Sequence, residues 1–467
     1  MIYPLQYHHD ERTNLELVNE FYLNKLSTQD LTIEDIQTIV HANEFVLKRR
    51  QRNLDRYQKR RLKVQKRHST TLQQATNKIV NHFRKLIVDQ KTDYLTGTPA
   101  TYNYEADIAI NEDLQRILKL NHYDWLDAET VRMASAIGVS YRLAYLDADG
   151  ELRLKLLPSQ NVITLEDEHE IKLAIHRTLK LNEAGQQTVK LEVYDESMVR
   201  VYEGDVNGIA LIEEYPHLFK HCPVIAFKNE DEEADFECVD ELIDAYDELI
   251  SMSMDEITEF RMAYLAILSD VELEEDTLQK AKTHGAIYLN DPASKIEYIT
   301  KNLNDVFYEN AKATIEKNIY KFSATLDMSE ESFTGASGEA RKWKLLAIEN
   351  KAQATERLLM KAFCHQFQLI SDYFAIKKGK KMDALEIQVL FNRNLPAEVG
   401  QIVDENSKLT GQVSQRTLLS RLPFITDVEK ELQQLEDESG DAYLQAFQAL
   451  QQQAPEDDGT VEGEENE

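Results

Sequence analysis

Apolar residues recur every three or four positions through the first part of the chain, the spacing that places side chains on one face of a helix. Residues 13–92 carry this pattern, and Thr32 with Asp35 fits the Ser/Thr-x-x-Asp/Glu form of a capping box. This pair predicts that a helix begins after Thr32. Residues 107–146 repeat the helical spacing, and their predicted core positions are Trp125, Val131, Met133 and Ile137.

Between Leu152 and Phe227 the period of the pattern changes to two. The segment KLAIHRTLKL alternates, and KLEVYDESMVRVYEG predicts two strands joined by a turn at Asp195, Glu196 and Ser197. The connections are too short for the crossovers of a parallel sheet, so the segment predicts an antiparallel meander.

Helical spacing returns between Val239 and Leu268, a length that predicts a rod of about 45 Å. A short strand at GAIYLN, a helix over 305–325 and a polar loop over 327–338 follow. The next helix is long, and its apolar positions are Trp343, Leu346, Leu358, Leu359, Phe363, Phe367, Ile370 and Phe374. A strand over 385–391 and an acidic helical stretch over 396–450 complete a mainly helical α+β protein.

Composition narrows the class of protein. The chain has 467 residues, of which 42% are hydrophobic, enough for packed cores. It has no apolar run long enough for a transmembrane helix, and its first residues lack the pattern of a signal peptide. Cys222, Cys238 and Cys364 lie far apart, which argues against a disulfide framework or a zinc site. These features predict an intracellular protein that binds no membrane.

The charge is distributed in blocks. The net charge is −30, yet residues 48–67 contain eleven Lys or Arg and one acid, whereas residues 230–248 contain eleven acids and no base. The basic block has two interpretations: a solvated helix face that neutralises acid elsewhere, or a helix that contacts phosphates. The basic residues singled out for the second interpretation are Lys48, Arg49, Arg50, Arg52, Arg56, Lys59, Arg60 and Arg61.

Motifs of catalysis are missing from the sequence. It contains no P-loop, no G-x-S-x-G and no H-E-x-x-H. His217 and His221 have the spacing of a metal pair on a helix, but Pro216 and Pro223 disfavour a helix there. The acidic run 230–233 lacks the glycine-turned loop of a calcium site. The sequence therefore predicts no enzyme, no cofactor and no metal.

Several segments together resemble one family. The stretch from Asn81 to Pro99 resembles the I-V-D-x-K-x-x-Y-x-x-G-x-P signature of tailed-phage portal proteins, and the matching residues are Ile87, Val88, Asp89, Lys91, Tyr94, Gly97 and Pro99. LIDAYDELIS resembles the start of that family's stem helix, and SGEARKWKL resembles its S-G-x-A element. NLP, GQVSQRTLLSRLP and the run 427–432 resemble its C-terminal pattern. The order and spacing fit over residues 40–440, although 57–67 lacks the usual glycine.

The resemblance implies a ring, usually of twelve copies, at one vertex of the phage head. The terminase large subunit pumps double-stranded DNA through such a ring, head-completion or adaptor proteins dock below it, and major capsid and scaffolding proteins surround it. The implied location is the virion, after assembly in the host cytoplasm. The implied parts are a helical wing segment (1–151), a β-rich wing (152–228), the first stem helix (229–268), the clip (269–304), the second stem helix (305–325), the tunnel loop (326–338), a long helix with a wing return strand (339–395), the crown (396–450) and a disordered acidic tail (451–467).

The resemblance also implies two DNA-facing sets. The tunnel-loop set is Ser332, Phe333, Thr334, Gly335, Ser337, Gly338, Arg341, Lys342 and Lys344, whose cations would contact phosphates or neighbouring subunits. The acidic set would line a repelling channel or would serve solubility alone, and comprises Asp235, Glu237, Asp240, Glu241, Asp244, Asp247 and Glu248. Trp343, Phe363 and Phe367 are expected at a ring interface or in the subunit core.

Two other functions stay open from the sequence. One is a nucleic-acid-binding regulator or loader that uses the basic block 48–67 as its site. The other is an enzyme with a metal–carboxylate site, which only the number of acids favours.

Overall fold

The computed structural model describes residues 11–68, 75–181, 185, 187–205, 208–260, 264–268, 295–299, 305–328, 338–393, 406–422, 425, 428 and 431–436. The chain forms two compact units, Met1–Asn394 and Leu395–Glu467. The tunnel-loop residues Ser332 to Ser337, the GAIYLN segment and the tail 451–467 lie outside the described residues.

The first unit begins with three helices, α1 (Glu11–Leu26), α2 (Ile33–Ala42) and α3 (Glu44–Tyr57). The predicted capping box is confirmed, because the Asp35 amide donates to Thr32 Oγ1 at 3.3 Å and the Thr32 amide donates to Asp35 Oδ2 at 2.9 Å. The basic block is not one helix. Helix α3 ends at Tyr57, within the block. Lys59 and Arg61, beyond that end, have left-handed backbone (φ 62° and 55°), which no right-handed α-helix contains.

Next come α4 (Phe83–Thr96), β1 (Thr101–Tyr104), α5 (Ile108–Leu120), α6 (Tyr123–Ile137) and β2 (Val139–Leu146). The prediction of helix through residue 146 is wrong. Gly138 has φ +100° and ends α6, and the apolar run after it is a buried strand. Such short apolar runs suit either structure by periodicity. The prediction that Trp125 belongs to the core is also wrong, since this residue is 62% exposed.

Two antiparallel sheets follow from the period of two. They use β3 (Leu152–Leu157), β4 (Val162–Glu166), β5 (Ile171–Leu181), β6 (Gln187–Tyr194), β7 (Met198–Asp205), β8 (Gly208–Pro216) and β9 (Val224–Lys228). The five-stranded sheet has the order β4-β5-β6-β7-β8, which confirms the predicted meander, and the other has the order β3-β2-β9. The predicted turn is also confirmed, since the Ser197 amide donates to Asp195 Oδ1 at 2.7 Å.

The predicted helix over 239–268 is shorter than expected. α7 spans Asp240–Phe260, and β10 (Tyr264–Leu268) pairs with β11 (Lys295–Ile299). The YLAIL segment therefore forms a strand, because a partner strand is available to it. The helix over 305–325 is confirmed as α8 (Asp305–Ser323), which packs against α7.

The longest element is α9 (Gly338–Lys378), and β12 (Ile387–Leu390) pairs with β1 as the strand expected over 385–391. Phe363 and Phe367 are 2% and 1% exposed in a core shared with β9 and α5, so both belong to the subunit interior. Leu346 is 45% exposed and does not occupy the predicted core position.

In the second unit, α10 (Gln415–Ser420) begins at Ser414, whose Oγ accepts from the Thr417 amide at 3.3 Å. Residues 406–409 and 431–436 are helical as well. Of the helices in the described ranges, none has the length and apolarity needed to cross a membrane.

Candidate functional site at the signature helix

The signature residues lie on α4 and just after it. Ile87 and Val88 are buried in a core with α6 and α7. Lys91 is fully buried, and its Nζ donates to Asn229 Oδ1 at 2.8 Å and to Asp235 Oδ1 at 3.1 Å. Burial lowers the pKa of Lys91, and the nearby Asp235 carboxylate opposes that shift. The lysine thus ties α4 to the turn that precedes α7.

The other polar signature residues reach different elements. Tyr57 donates to Asp89 Oδ1 at 2.9 Å, so Asp89 joins α4 to α3. Tyr94 donates to Glu349 Oε2 at 2.6 Å, which joins α4 to α9. Burial and this carboxylate raise the pKa of Tyr94 to about 12.

The end of the signature is bound too. The Pro99 carbonyl accepts from Asn392 Nδ2 at 3.0 Å, and Arg393 donates to both oxygens of Glu349 at 2.8 and 2.9 Å. These bonds from Arg393 outweigh burial, which by itself would raise the pKa of Glu349, and they lower that pKa to about 2. Gly97 has φ −64°, so its backbone conformation does not require glycine.

The acidic and basic blocks face each other within the chain. Arg84 of α4 is 3% exposed, and it donates to Asp240 Oδ1 at 2.7 Å and to Asp244 Oδ1 at 2.6 Å. Arg56 of α3 pairs with the same two carboxylates, and its Nη2 lies 3.6 Å from Asp244 Oδ2. Because buried charges are tolerated only when paired, these contacts fix α3 and α4 against α7.

Further ion pairs extend this junction along α3. Arg50 Nη2 lies 3.2 Å from Glu232 Oε2, and Arg49 Nη2 donates to the Glu232 carbonyl at 2.7 Å. Burial alone would raise the pKa of Glu232, but Lys228 and Arg50 lower it below its usual range. Arg52 pairs more loosely with Glu237 at 3.5 Å. Within the acidic run 230–233, Glu232 is therefore bound inside the chain, whereas Glu230, Asp231 and Glu233 are exposed.

The remaining basic residues have fewer attachments. Lys48 has a side chain 75% exposed and lies 3.9 Å from Glu44, and Arg61 lies 3.3 Å from Asp55. Lys59 and Arg60 are exposed beyond the end of α3. The structure thus assigns most of the α3 cations to intrachain carboxylates, which favours the neutralising interpretation of the basic block.

The acidic set divides in the same way. Asp235, Asp240 and Asp247 are buried inside the chain, so these three do not line a surface. Glu241 is exposed, and Glu248 is partly exposed with Lys63 3.4 Å away. Only the last two present charge that a partner molecule could meet directly.

The extended segment 77–81, just before α4, is hydrogen bonded along the side of α7. The amides of Asn77, Ile79 and Asn81 donate to Asp255 Oδ1 (2.6 Å), Ser251 Oγ (2.9 Å) and Asp247 Oδ1 (2.8 Å). Four residues of helix rise about 6 Å, close to the reach of two extended residues, so alternate amides meet every fourth side chain. We call residues 77–81 the strap. No periodicity signal in the strap itself predicts this contact.

The strap gives a specific stability prediction. Ser251→Ala removes the acceptor of the partly buried Ile79 amide and is expected to lower the free energy of unfolding by about 1–2 kcal/mol. Ser253→Ala is the matched control, because both hydroxyls donate to the carbonyl four residues earlier but only Ser251 meets the strap. Urea denaturation of the two variants measures the difference. Equal midpoints would show that the bond between Ile79 and Ser251 contributes no stability.

The remaining predicted site residues are only partly placed. Gly338, Arg341, Lys342 and Lys344 lie in the first turns of α9. The cations' side chains, like the residues Ser332 to Ser337, lie outside what the structure describes. His221 Nδ1 lies 2.9 Å from Glu170 Oε2, and His217 Nε2 lies 2.9 Å from the Asp195 carbonyl. Over the described ranges, no three His, Cys, Asp or Glu side chains are grouped as a metal site would require.

The core contains a buried polar network that the sequence pattern does not predict. Arg142 of β2 is 1% exposed, and it donates to Thr130 Oγ1 (2.8 Å), Gln366 Oε1 (2.8 Å) and Asp127 Oδ1 (2.7 Å). Its guanidinium also lies 4.3 Å from the Phe227 ring centroid. The only signal in the sequence is one arginine within the apolar run VSYRLAYL.

The site as a whole is a structural junction. Helix α4 joins α7 and the turn before α7 through buried charges, and it joins α3 and α9 through tyrosine–carboxylate hydrogen bonds. In the described part of the chain, no grouping of metal-ligating side chains accompanies it. The class defined by this fold is a mixed helix-and-sheet protein whose buried polar junction is centred on α4.

Comparison with known proteins gives the family. The family described as phage portal protein, SPP1 Gp6-like, matches residues 6–443. The chain is 25% identical to the portal protein of Bacillus phage SPP1 over 388 residues, covering 78% of this chain and 76% of the relative. It is 22% identical to the portal protein of Clostridium phage phiCD119 over 397 residues, covering 79% and 86%. The chain therefore belongs to the phage portal protein family, which is structural rather than enzymatic, and it is a portal subunit of the phage particle.

Proposed function

We propose that twelve copies of this chain form a ring at one capsid vertex, through which double-stranded DNA is packaged and later ejected. The observation that carries the proposal is the family match over residues 6–443. The junction around α4 supports it, because a subunit under load during DNA passage needs its stem helices held rigidly to its body. The ion pairs that join the end of α3 and the beginning of α4 to the beginning of α7 supply that rigidity.

The proposed partners follow from this function. The terminase large subunit drives the DNA, head-completion or adaptor proteins dock on the ring, and major capsid and scaffolding proteins surround it. We assign 1–151 and 152–228 to the wing, α7 and α8 to the stem, 269–304 to the clip, 326–338 to the tunnel loop and 396–450 to the crown. Assembly in the host cytoplasm precedes incorporation into the virion.

A conduit works best when it does not hold DNA tightly. Counterion-releasing contacts with phosphates would slow translocation, whereas exposed acids repel the duplex. In this proposal Glu241 and Glu248 are the members of the acidic set available to face DNA. Arg341, Lys342 and Lys344 make the transient phosphate contacts beside the tunnel loop.

The first test is the assembly state of the full-length protein. Light scattering and negative-stain microscopy are expected to give rings with a central hole and a mass near twelve times 54.0 kDa. A monomer that binds duplex DNA tightly with a steep salt dependence would instead support a nucleic-acid-binding regulator. The intrachain pairing of Arg50, Arg52 and Arg56 weighs against that alternative.

The second test is a packaging assay on assembled rings. The double variant Arg341→Ala/Lys342→Ala is expected to keep the ring but to package DNA several-fold more slowly, because two phosphate contacts per subunit are lost. Arg357→Ala/Lys361→Ala on the exposed face of the same helix is the matched control and should package normally. Loss of the ring in the first variant would show that these cations bind neighbouring subunits rather than DNA.

A further inference from the structure

Helix α8 ends in a tight left-handed turn. Ala324 has φ +54°, and the Thr325 amide donates to the Tyr320 carbonyl at 3.1 Å, the bond of a Schellman motif. Alanine is an unusual residue for this conformation, which costs it about 1–2 kcal/mol relative to ordinary helical backbone. The turn therefore persists because contacts around it hold the chain.

The strongest of those contacts comes from the signature helix. The side-chain amide of Gln90 meets both backbone groups of Leu326: Oε1 accepts from the Leu326 amide at 2.6 Å, and Nε2 donates to the Leu326 carbonyl at 3.0 Å. This pair mimics the two bonds that a neighbouring β-strand would supply. Gln90 lies at the unspecified position between Asp89 and Lys91 of the signature, so the motif alone gives it no role.

A second attachment lies beside the first. Lys351 of α9 donates to the Ser323 carbonyl at 3.0 Å, and its Nζ also lies 3.3 Å from Asp235 Oδ1. Asp235 is the buried carboxylate that Lys91 also contacts. Gln90 of α4 thus binds the chain after α8 directly. Lys351 of α9 binds the end of α8, and it also contacts Asp235, the carboxylate that Lys91 of α4 contacts.

We propose that Gln90 and Lys351 form an anchor that fixes the root of the tunnel loop, with Gln90 as a positioning residue. This inference rests on the proposed function for the role of the loop itself. The anchor sets where residues 327–338 begin relative to the subunit body. It also passes any pull on the loop to α4 and α9 instead of unwinding the end of α8.

Amide hydrogen exchange of the full-length protein tests the anchor. Gln90→Met keeps the side-chain size and removes both bonds, so exchange of the Leu326 amide is expected to be roughly three to ten times faster. The Thr325 amide, which bonds within the turn, should change less. Gln353→Met is the matched control, because Gln353 is exposed and its side-chain amide donates to Glu349 of its own helix. Unchanged exchange at Leu326 would overturn the proposal.

A packaging assay separates the anchor from the role of the loop. Rings of Gln90→Met are expected to form normally and to package DNA several-fold more slowly than those of Gln353→Met. Faster exchange with normal packaging would uphold the anchor and overturn the proposed role of the tunnel loop. Lys351→Met gives an independent check, since it should accelerate exchange at the end of α8 without touching Gln90.

Discussion

Gly138→Ala is expected to lower the free energy of unfolding by about 3–5 kcal/mol, among the larger losses that one added methyl group can cause. A Cβ at this position would lie 2.1 Å from the carbonyl oxygen of Glu232 and 2.6 Å from its carbonyl carbon. Both are backbone atoms, which cannot rotate away. The left-handed backbone at φ +100° adds strain of its own for alanine.

The contacts of Glu232 and its turn resist the backbone shift that would relieve this clash. Its carbonyl accepts from Arg49 and its carboxylate pairs with Arg50, while the Asn229 amide donates to the Gly138 carbonyl at 2.9 Å. Moving the turn 229–233 to admit the methyl group would stretch all three contacts. The loss of stability should therefore be accompanied by weaker attachment of α3.

The control for this prediction is Gly150→Ala. Gly150 also has positive φ (+70°), but a Cβ there would meet nothing within 4 Å. Its loss should be only about 1 kcal/mol, the cost of the left-handed backbone. Urea denaturation followed by circular dichroism compares the two variants. Similar midpoints would mean that the close approach of Glu232 is unimportant.

Arg142→Met is expected to cost about 3–5 kcal/mol, because it leaves the Asp127 carboxylate buried without its cation. The methionine fills much of the space, so the loss reflects charge rather than volume. Asp127 keeps one bond, from the Tyr102 hydroxyl at 2.5 Å, which cannot replace an ion pair. Burial and the adjacent carboxylate already raise the pKa of Tyr102.

Two comparisons make this prediction specific. Adding Asp127→Asn to Arg142→Met should recover part of the stability, since the unpaired charge is removed. Arg153→Met should cost much less than Arg142→Met, because solvent screens the Arg153–Asp147 pair (2.7 Å) at the surface. Thermal and urea midpoints of the four proteins complete the test. A double variant no more stable than Arg142→Met would exclude a charge-based explanation.

The elements that the sequence predicts correctly are those whose signals lie in neighbouring residues. The capping box at Thr32, the Asp195–Ser197 turn and the alternation of β5 each depend on residues close together in the chain. The predictions for the end of α7 and for β2 are wrong, because short apolar runs fit both helix and strand. The partner strands decide between them, β11 for the segment after α7 and both β3 and β9 for β2.

The class of this protein can be predicted from its sequence, because four motifs in order with matching spacing resemble portal proteins and each motif is a local string of residues. The sequence also shows two oppositely charged blocks. That these blocks pair with each other is seen in the folded chain and not in the sequence. The same holds for the contacts of Arg142, Gln90 and the strap, whose partners lie up to 236 residues away. Burial and Coulomb attraction depend on distance in space, and the topology of the folded chain alone sets that distance.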